Sequence, residues 1–449
     1  MLVPLVASLA LAAAPPAATL VPFEKYTLPN GLRVILSEDH RTPVVAVMVW
    51  YHVGAANEAP GKSGFAHLFE HMMFQGSKHR PGNEVDFFGR LQAAGATGVN
   101  GTTNLDRTNY FEVLPSNQLE LGLWLESDRM GFLLDALDQK KLDVQRDVVR
   151  NERRQSTENR PYGRAEVRLV ELLYPKPHPY FGAVIGSHED LQAASLEDVK
   201  AFFRTYYVPN NAVLAIVGDF QPAAARPLVE KYFGPIPRGG PVPPPQVHFV
   251  PLTAQKRETL TDTVQLSRWI VGVAVPPAYA SDDFFATQLL GDILVTGKSS
   301  RLYHELVYTQ KVAQDVGLDI EAARFPSFAE IDLTVAPGVA PDKTEAALDA
   351  QLQRVMDAPP TAAELERARR NRIAKTLRAL ERVGGFGGKA DMLELGEFWA
   401  SDPGLVDTMI ARWKAVTPAD VQAAARKYFA PERRVVLLVN PAPKSASNP

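Results

Sequence analysis

The chain contains no cysteine. Disulfides, thiolate metal ligands and cysteine nucleophiles are excluded, so any transition metal must be held by nitrogen and oxygen donors. Net charge is nearly absent too: 48 Lys and Arg stand against 51 Asp and Glu, leaving −3 over 449 residues. A nucleic-acid or anionic-membrane partner would favour a strongly basic surface, so neither is expected. Long apolar runs are also missing. Residues 2–14 form an apolar stretch rich in small residues before Pro15 and Pro16, short of the roughly 18 residues a bilayer crossing needs. No membrane span is expected in the mature protein. The stretch suits the apolar part of an export signal, with Ala10-Leu11-Ala12 as a cleavage site, although no Lys or Arg precedes it. Residues 1–18 are read as a signal peptide, and periplasmic or secreted residence is expected.

What remains is the composition of a globular protein, 46% hydrophobic and 22% charged, long enough for two or three domains. An internal repeat favours two. Ser195, Asp198-Val199, Arg204, Tyr206, Pro209 and Val213–Val217 recur at a constant offset of 222 residues as Thr417, Asp420-Val421, Arg426, Tyr428, Pro431 and Val435–Val439. Each copy reads as a capped helix, a proline-marked turn and a buried strand. Residues 234–245 carry a density of Pro and Gly that forbids regular structure. These features predict an α+β chain of two homologous domains, each a mostly antiparallel sheet with helices packed on one face. The N-terminal domain is expected at 19–233, a linker at 234–255 and the C-terminal domain at 256–449. Gly384-Gly-Phe-Gly-Gly388 lacks the Lys-Ser/Thr of a phosphate loop and follows a helical run, so a helix-terminating loop is expected there. His304-Glu305 reads as a solvated helix face.

The chemistry concentrates in His67-Leu68-Phe69-Glu70-His71. Residues four apart on a helix share a face, so both imidazoles project together as a pair of Zn²⁺ ligands. Glu70 can reach a metal-activated water without ligating the metal. The flanking Phe65, Ala66, Leu68, Phe69, Met72, Met73 and Phe74 would bury this helix, and unpaired His and Glu would be costly in so apolar a setting. The order reverses the His-Glu-x-x-His zinc helix and is the inverzincin signature. A catalytic zinc usually takes a third protein ligand. Glu152, on a helical run after Asp138, is a candidate, with Asp147 and Glu158 as local competitors; spacing alone leaves Glu152 equally readable as one more charge on a polar helix.

Gly64-Phe-Ala-His-Leu-Phe-Glu-His-Met-Met-Phe-Gln-Gly76, Asn100-Gly-Thr-Thr-Asn-Leu-Asp-Arg-Thr-Asn-Tyr-Phe111 and Arg146-Asp-Val-Val-Arg-Asn-Glu152 resemble the pitrilysin/insulinase family of zinc peptidases, bacterial two-domain type, similar to mitochondrial processing peptidase subunits. The resemblance runs from about Leu28 to Pro441. It implies a zinc endopeptidase with one Zn²⁺ per chain on His67, His71 and Glu152, and Glu70 as general base. It also implies that Asn100, Gly101, Thr102 and Thr103 grip the peptide as a sheet edge, and that the two domains face each other as half of a clam-shell chamber. Seven residues before Glu152, where the family commonly places a supporting glutamate, this chain has Gln145, which can hold a hydrogen bond to a ligand but lends no charge.

The family's substrate-positioning Arg and Tyr, seven residues apart, are also missing. Aligned on Ser300-Arg301-Leu302-Tyr303, they fall on Val307 and Gln314. A heterodimer with a homologous subunit supplying that pair is therefore expected, with a homodimer as second choice. The competing reading is a non-catalytic binding or scaffold subunit retaining a vestigial metal site, which the intact His67, Glu70, His71 and Glu152 disfavour.

Overall fold

The computed structural model describes residues 19–443; the expected signal peptide lies outside the described residues. Among the described residues eleven strands form two sheets. The first is built from Glu24–Thr27 (β1), Arg33–Glu38 (β2), Val44–Tyr51 (β3), Thr97–Thr103 (β4), Thr108–Pro115 (β5) and Ala212–Gly218 (β6), in the order β1-β2-β6-β3-β5-β4. The second uses Lys256–Asp262 (β7), Arg268–Val275 (β8), Ala313–Glu321 (β9), Ser327–Val335 (β10) and Arg434–Pro441 (β11), in the order β7-β11-β8-β10-β9. In each sheet one pair is parallel, β2 with β6 and β7 with β11, and the rest are antiparallel.

The sequence repeat is a structural repeat. Helices Leu196–Tyr206 and Pro418–Tyr428 open with the same capping box, Ser195 with Asp198 and Thr417 with Asp420, in which each hydroxyl accepts from the backbone three residues on. Each leads into the parallel strand of its sheet. Val213 pairs with Arg33, and Val435, 222 residues on, pairs with Lys256. Residues 234–255 carry no regular structure.

Along β3, Val45, Val47, Val49 and Tyr51 face one core with the zinc-motif helix, while Ala46, Met48 and Trp50 face another. This is the period-2 alternation of a strand buried on both sides. The second face is covered from the other half of the chain: helix Lys389–Ala400 packs on β3 and β6. The exchange is reciprocal. Helix Gly163–Leu173 crosses to pack on β8 and β11, with Leu169 and Leu173 against Ile270, Val435, Leu437 and Val439. Gly272 permits this approach, since a Cβ there would lie 2.7 Å from Leu169 Cδ1. Around this apolar seam Lys389 pairs with buried Asp39 at 2.6 Å, and Glu397 takes both Lys25 at 2.6 Å and Arg33 at 3.1 Å.

Candidate metal centre

Helix Phe65–Met72 is fixed first at its N-terminus. Gly64 adopts the left-handed φ of +86°, and a Cβ there would lie 2.6 Å from the Ile185 carbonyl oxygen. The Glu58 carboxylate accepts from the N–H groups of Gly64 at 2.9 Å and Ala66 at 2.8 Å, satisfying donors that a helix start leaves unpaired. Phe65, Leu68, Phe69 and Met72 are buried in the first core, and the helical period turns His67 and His71 toward helix Gln139–Arg153.

That second helix is capped by Asp138, whose side chain accepts from Lys141 N–H. Leu142, Gln145, Val149 and Glu152 recur at i, i+3, i+7 and i+10, so the burial of the first three carries Glu152 to the histidines. Glu152 Oε1 lies 3.8 Å from His67 Nε2, and Oε2 lies 3.3 Å from His71 Nε2. One donor atom from each residue fits within 4.8 Å of the others. Tetrahedral zinc with bonds of about 2.1 Å needs donors about 3.4 Å apart. Two imidazole nitrogens and a carboxylate at these separations fit that metal. The competing carboxylates are placed elsewhere. Asp147 is exposed beside Arg150, and Glu158 is held by Arg153 at 3.2 Å and His188 at 2.9 Å.

The electrostatics suit a cation. Burial, reinforced by the His71 charge, pushes His67 down to about 4, so its imidazole is neutral near pH 7. For His71 burial opposes protonation, but the hydrogen bond to Glu152 and the nearby carboxylates outweigh it and raise the imidazole. Glu152 is lowered, chiefly by that same hydrogen bond. Gln145 is buried on the ligand-bearing face, yet its Oε1 and the Nδ1 of His67 have no hydrogen-bond partner among the described residues.

Glu70 stands apart from this set. It is buried, and Thr103 Oγ1 donates to its Oε2 at 2.7 Å. Burial raises its carboxyl, only partly offset by Thr103. The four residues expected to grip substrate lie in β4, at the edge of the first sheet, whose other side has no strand partner among the described residues. Gly101 passes so close to Glu70 that a Cβ would lie 3.2 Å from Glu70 Cγ and 3.1 Å from the Tyr110 ring. Thr102 donates to Asn109 Oδ1 at 2.6 Å, and Arg107 donates to the Thr102 carbonyl at 3.1 Å. The side chains of Thr102 and Thr103 are thus committed within the protein, while Asn100 is exposed. Sequence reasoning missed the Thr103 bond, the Glu58 cap and the Arg107 brace. The first was within reach, because Gly101 and Thr103 share a strand face.

Val307 packs on the second core and Gln314 is exposed at the start of β9. Arg301, seven residues from Tyr308, is engaged by Glu364 at 2.6 Å, and Tyr308 is exposed. The segment Tyr303–Thr309 is π-helical, and His304 on it is exposed.

Residues 33–173 match the family model described as insulinase (peptidase family M16), and residues 193–372 match the one described as peptidase M16 inactive domain. The chain belongs to the pitrilysin/insulinase family of zinc peptidases. Among its members, the zinc protease PqqE of Helicobacter pylori is 29% identical over 93% of both chains. The crystal structure of a protease from Helicobacter pylori superposes with a TM-score of 0.87 at 28% identity, covering 94% of this chain and 100% of that one. The mitochondrial-processing peptidase subunit beta of Caenorhabditis elegans is 24% identical over 73% of this chain and 70% of its own. In this pitrilysin/insulinase chain all three metal-fitting residues lie in the insulinase match, and none in the inactive-domain match.

Proposed function

We propose that the protein is a zinc endopeptidase acting on peptides or unstructured protein segments, with His67, His71 and Glu152 as metal ligands and Glu70 as general base. One observation carries the reading: a metal-fitting triad lies against a buried carboxylate that is itself pressed onto an open sheet edge. Zinc bound to the triad would supply a Lewis acid that polarises a peptide carbonyl and acidifies water toward neutrality. Glu70 accepts the proton of the attacking water and returns it to the leaving amine nitrogen. The edge of β4 holds the substrate as an added strand through main-chain hydrogen bonds, a grip that would admit varied but extended sequences.

The missing substrate-positioning pair at Val307 and Gln314 argues for a partner: a homologous two-domain subunit that carries the Arg and Tyr and closes the chamber over the zinc, with self-association second. A relative at 24% identity is named a subunit, which accords with this. The apolar stretch of residues 2–14 supports periplasmic or secreted residence; among the described residues no helix is long and apolar enough to cross a membrane. The deciding experiment compares the zinc-loaded chain with Glu70→Gln on an unstructured test peptide, each with and without candidate homologous subunits. Metal content should be equal and turnover at least about a hundredfold lower in the variant. Equal turnover removes Glu70 from the mechanism, and full activity of the chain alone removes the need for a partner.

A further inference from the structure

The Gly384–Gly388 loop takes no part in the chemistry above, yet it is built to present one side chain. Arg382 donates to the Phe386 carbonyl at 2.6 Å, and Gly387 N–H donates to Asp391 at 2.8 Å, fixing the loop from both ends. Gly384 lies flat on the first sheet, where a Cβ would sit 2.7 Å from both Ala46 Cβ and Val113 Cγ2. Four glycines surround Phe386, so nothing else from the loop screens its ring. Phe386 is 52% exposed, and its ring meets Phe111 edge-on at 5.2 Å between centroids. A single exposed apolar side chain is ordinary on a protein surface; what distinguishes Phe386 is its place, braced against Phe111 of the strand next to the open edge.

Strand geometry says what lies beside it. Phe111 pairs with Asn100 and Tyr110 with Gly101 across β5 and β4. Gly101 and Thr103 therefore look toward Glu70, while Asn100 and Thr102 look toward the opposite face, the one bearing Phe111 and Phe386. A peptide added to the free edge of β4 continues that alternation. If one of its side chains projects toward the Glu70 face, its two neighbours project toward the Phe386 face.

We infer that Phe386, backed by Phe111, forms an apolar specificity subsite for the substrate, receiving a bulky hydrophobic side chain adjacent in sequence to the residue facing Glu70. The ligand is a peptide in extended conformation with Leu, Phe or a similar residue at that place. The inference rests on the reading of β4 as the substrate edge and extends it from a sequence-tolerant grip to a sequence preference.

The test uses the full chain, zinc-loaded, with its partner where one is required. A polar, unstructured peptide carries a single Phe walked through successive positions, with Ser as reference. Fluorescence anisotropy on Glu70→Gln reads binding without turnover, and kcat/KM on the otherwise unaltered chain reads cleavage. One register should favour Phe over Ser by about tenfold, the scale of one apolar group entering a pocket. Phe386→Ala should bring the Phe peptide down to about the level of the Ser peptide, erasing that preference, and Phe386→Leu should keep most of it. Preference surviving in Phe386→Ala, equal losses for Phe and Ser peptides, or loss of subunit association with preference intact would each overturn the subsite. Phe-dependent binding without hydrolysis would instead sink the peptidase reading and leave the subsite standing.

Discussion

Replacing Thr103 by Val isolates one hydrogen bond beside the proposed metal centre. The side chains have the same shape, so β4 and its pairing with β5 are preserved, and only the hydroxyl donated to Glu70 Oε2 at 2.7 Å is lost. Hydrogen bonds to a charged group contribute about 1.5–3 kcal/mol. Glu70 is buried with little alternative solvation, which favours the upper part of that range. If the bond holds the carboxylate aimed at the attacking water, its loss appears in the transition state, and kcat should fall about 40- to 160-fold. KM should stay within about twofold, because the β4 main chain that would hold substrate is untouched. Thr103→Ser keeps the hydroxyl and should recover most of the rate. Zinc content, by metal analysis, should equal that of the parent in both variants, since Thr103 touches none of the three ligands. Steady-state kinetics on an unstructured peptide decides the matter. A Thr103→Val chain with parental kcat, or one whose loss lies wholly in KM, would show that the bond serves packing or substrate grip and does not aim Glu70.

Other expectations follow from the same geometry. His71→Ala and Glu152→Ala should each lose stoichiometric zinc on dialysis while remaining folded by circular dichroism; full retention in the Glu152 variant would mean the third ligand has been misassigned. Glu364, held down to about 2 first by Arg301 and then by the Thr361 cap, should stabilise the second half by about 1 kcal/mol at pH 7, solvent screening of this part-exposed pair taken into account. Its folded pKa lies below the unfolded one, so that contribution is complete above about pH 4.5 and fades as pH falls toward 2. The stability gap between the parent and Glu364→Gln in chemical denaturation should accordingly narrow from pH 7 to pH 3, and a constant gap would refute the pairing. Edman or mass-spectrometric sequencing of protein from its native host should begin about 12 to 20 residues in; an intact Met1 on cytoplasmic protein would end the export reading.

How far the sequence led depends on the range of the interaction involved. Local periodicity was enough for the His67/His71 helix, for the capped helices after Ser195 and Thr417, and for the repeat that pairs β6 with β11, because helix phase and strand alternation are written within a few residues. The metal-fitting residues were legible unevenly: His67 and His71 by a spacing of four, Glu152 only through its motif, since its spacing alone fits an ordinary charge on a polar helix equally well. Whether those two faces meet was supplied only by resemblance. What escaped were contacts between distant segments that no periodicity encodes: Glu58 capping the zinc-motif helix from six residues before Gly64, Arg107 bracing the edge strand, and the exchange of helices Gly163–Leu173 and Lys389–Ala400 between sheets. That exchange explains the alternation along β3. Its outward positions Ala46, Met48 and Trp50 are apolar because a helix about 340 residues further along the chain covers them, so β3 reads as an unbroken hydrophobic run where a sheet open to water on one face would have alternated with polar residues. The run was visible in Val44–Trp50, and taken with the antiparallel sheet it already required a second cover. The same logic applies to Phe386, which lies half exposed on the same face, against Phe111 of β5 beside the edge strand.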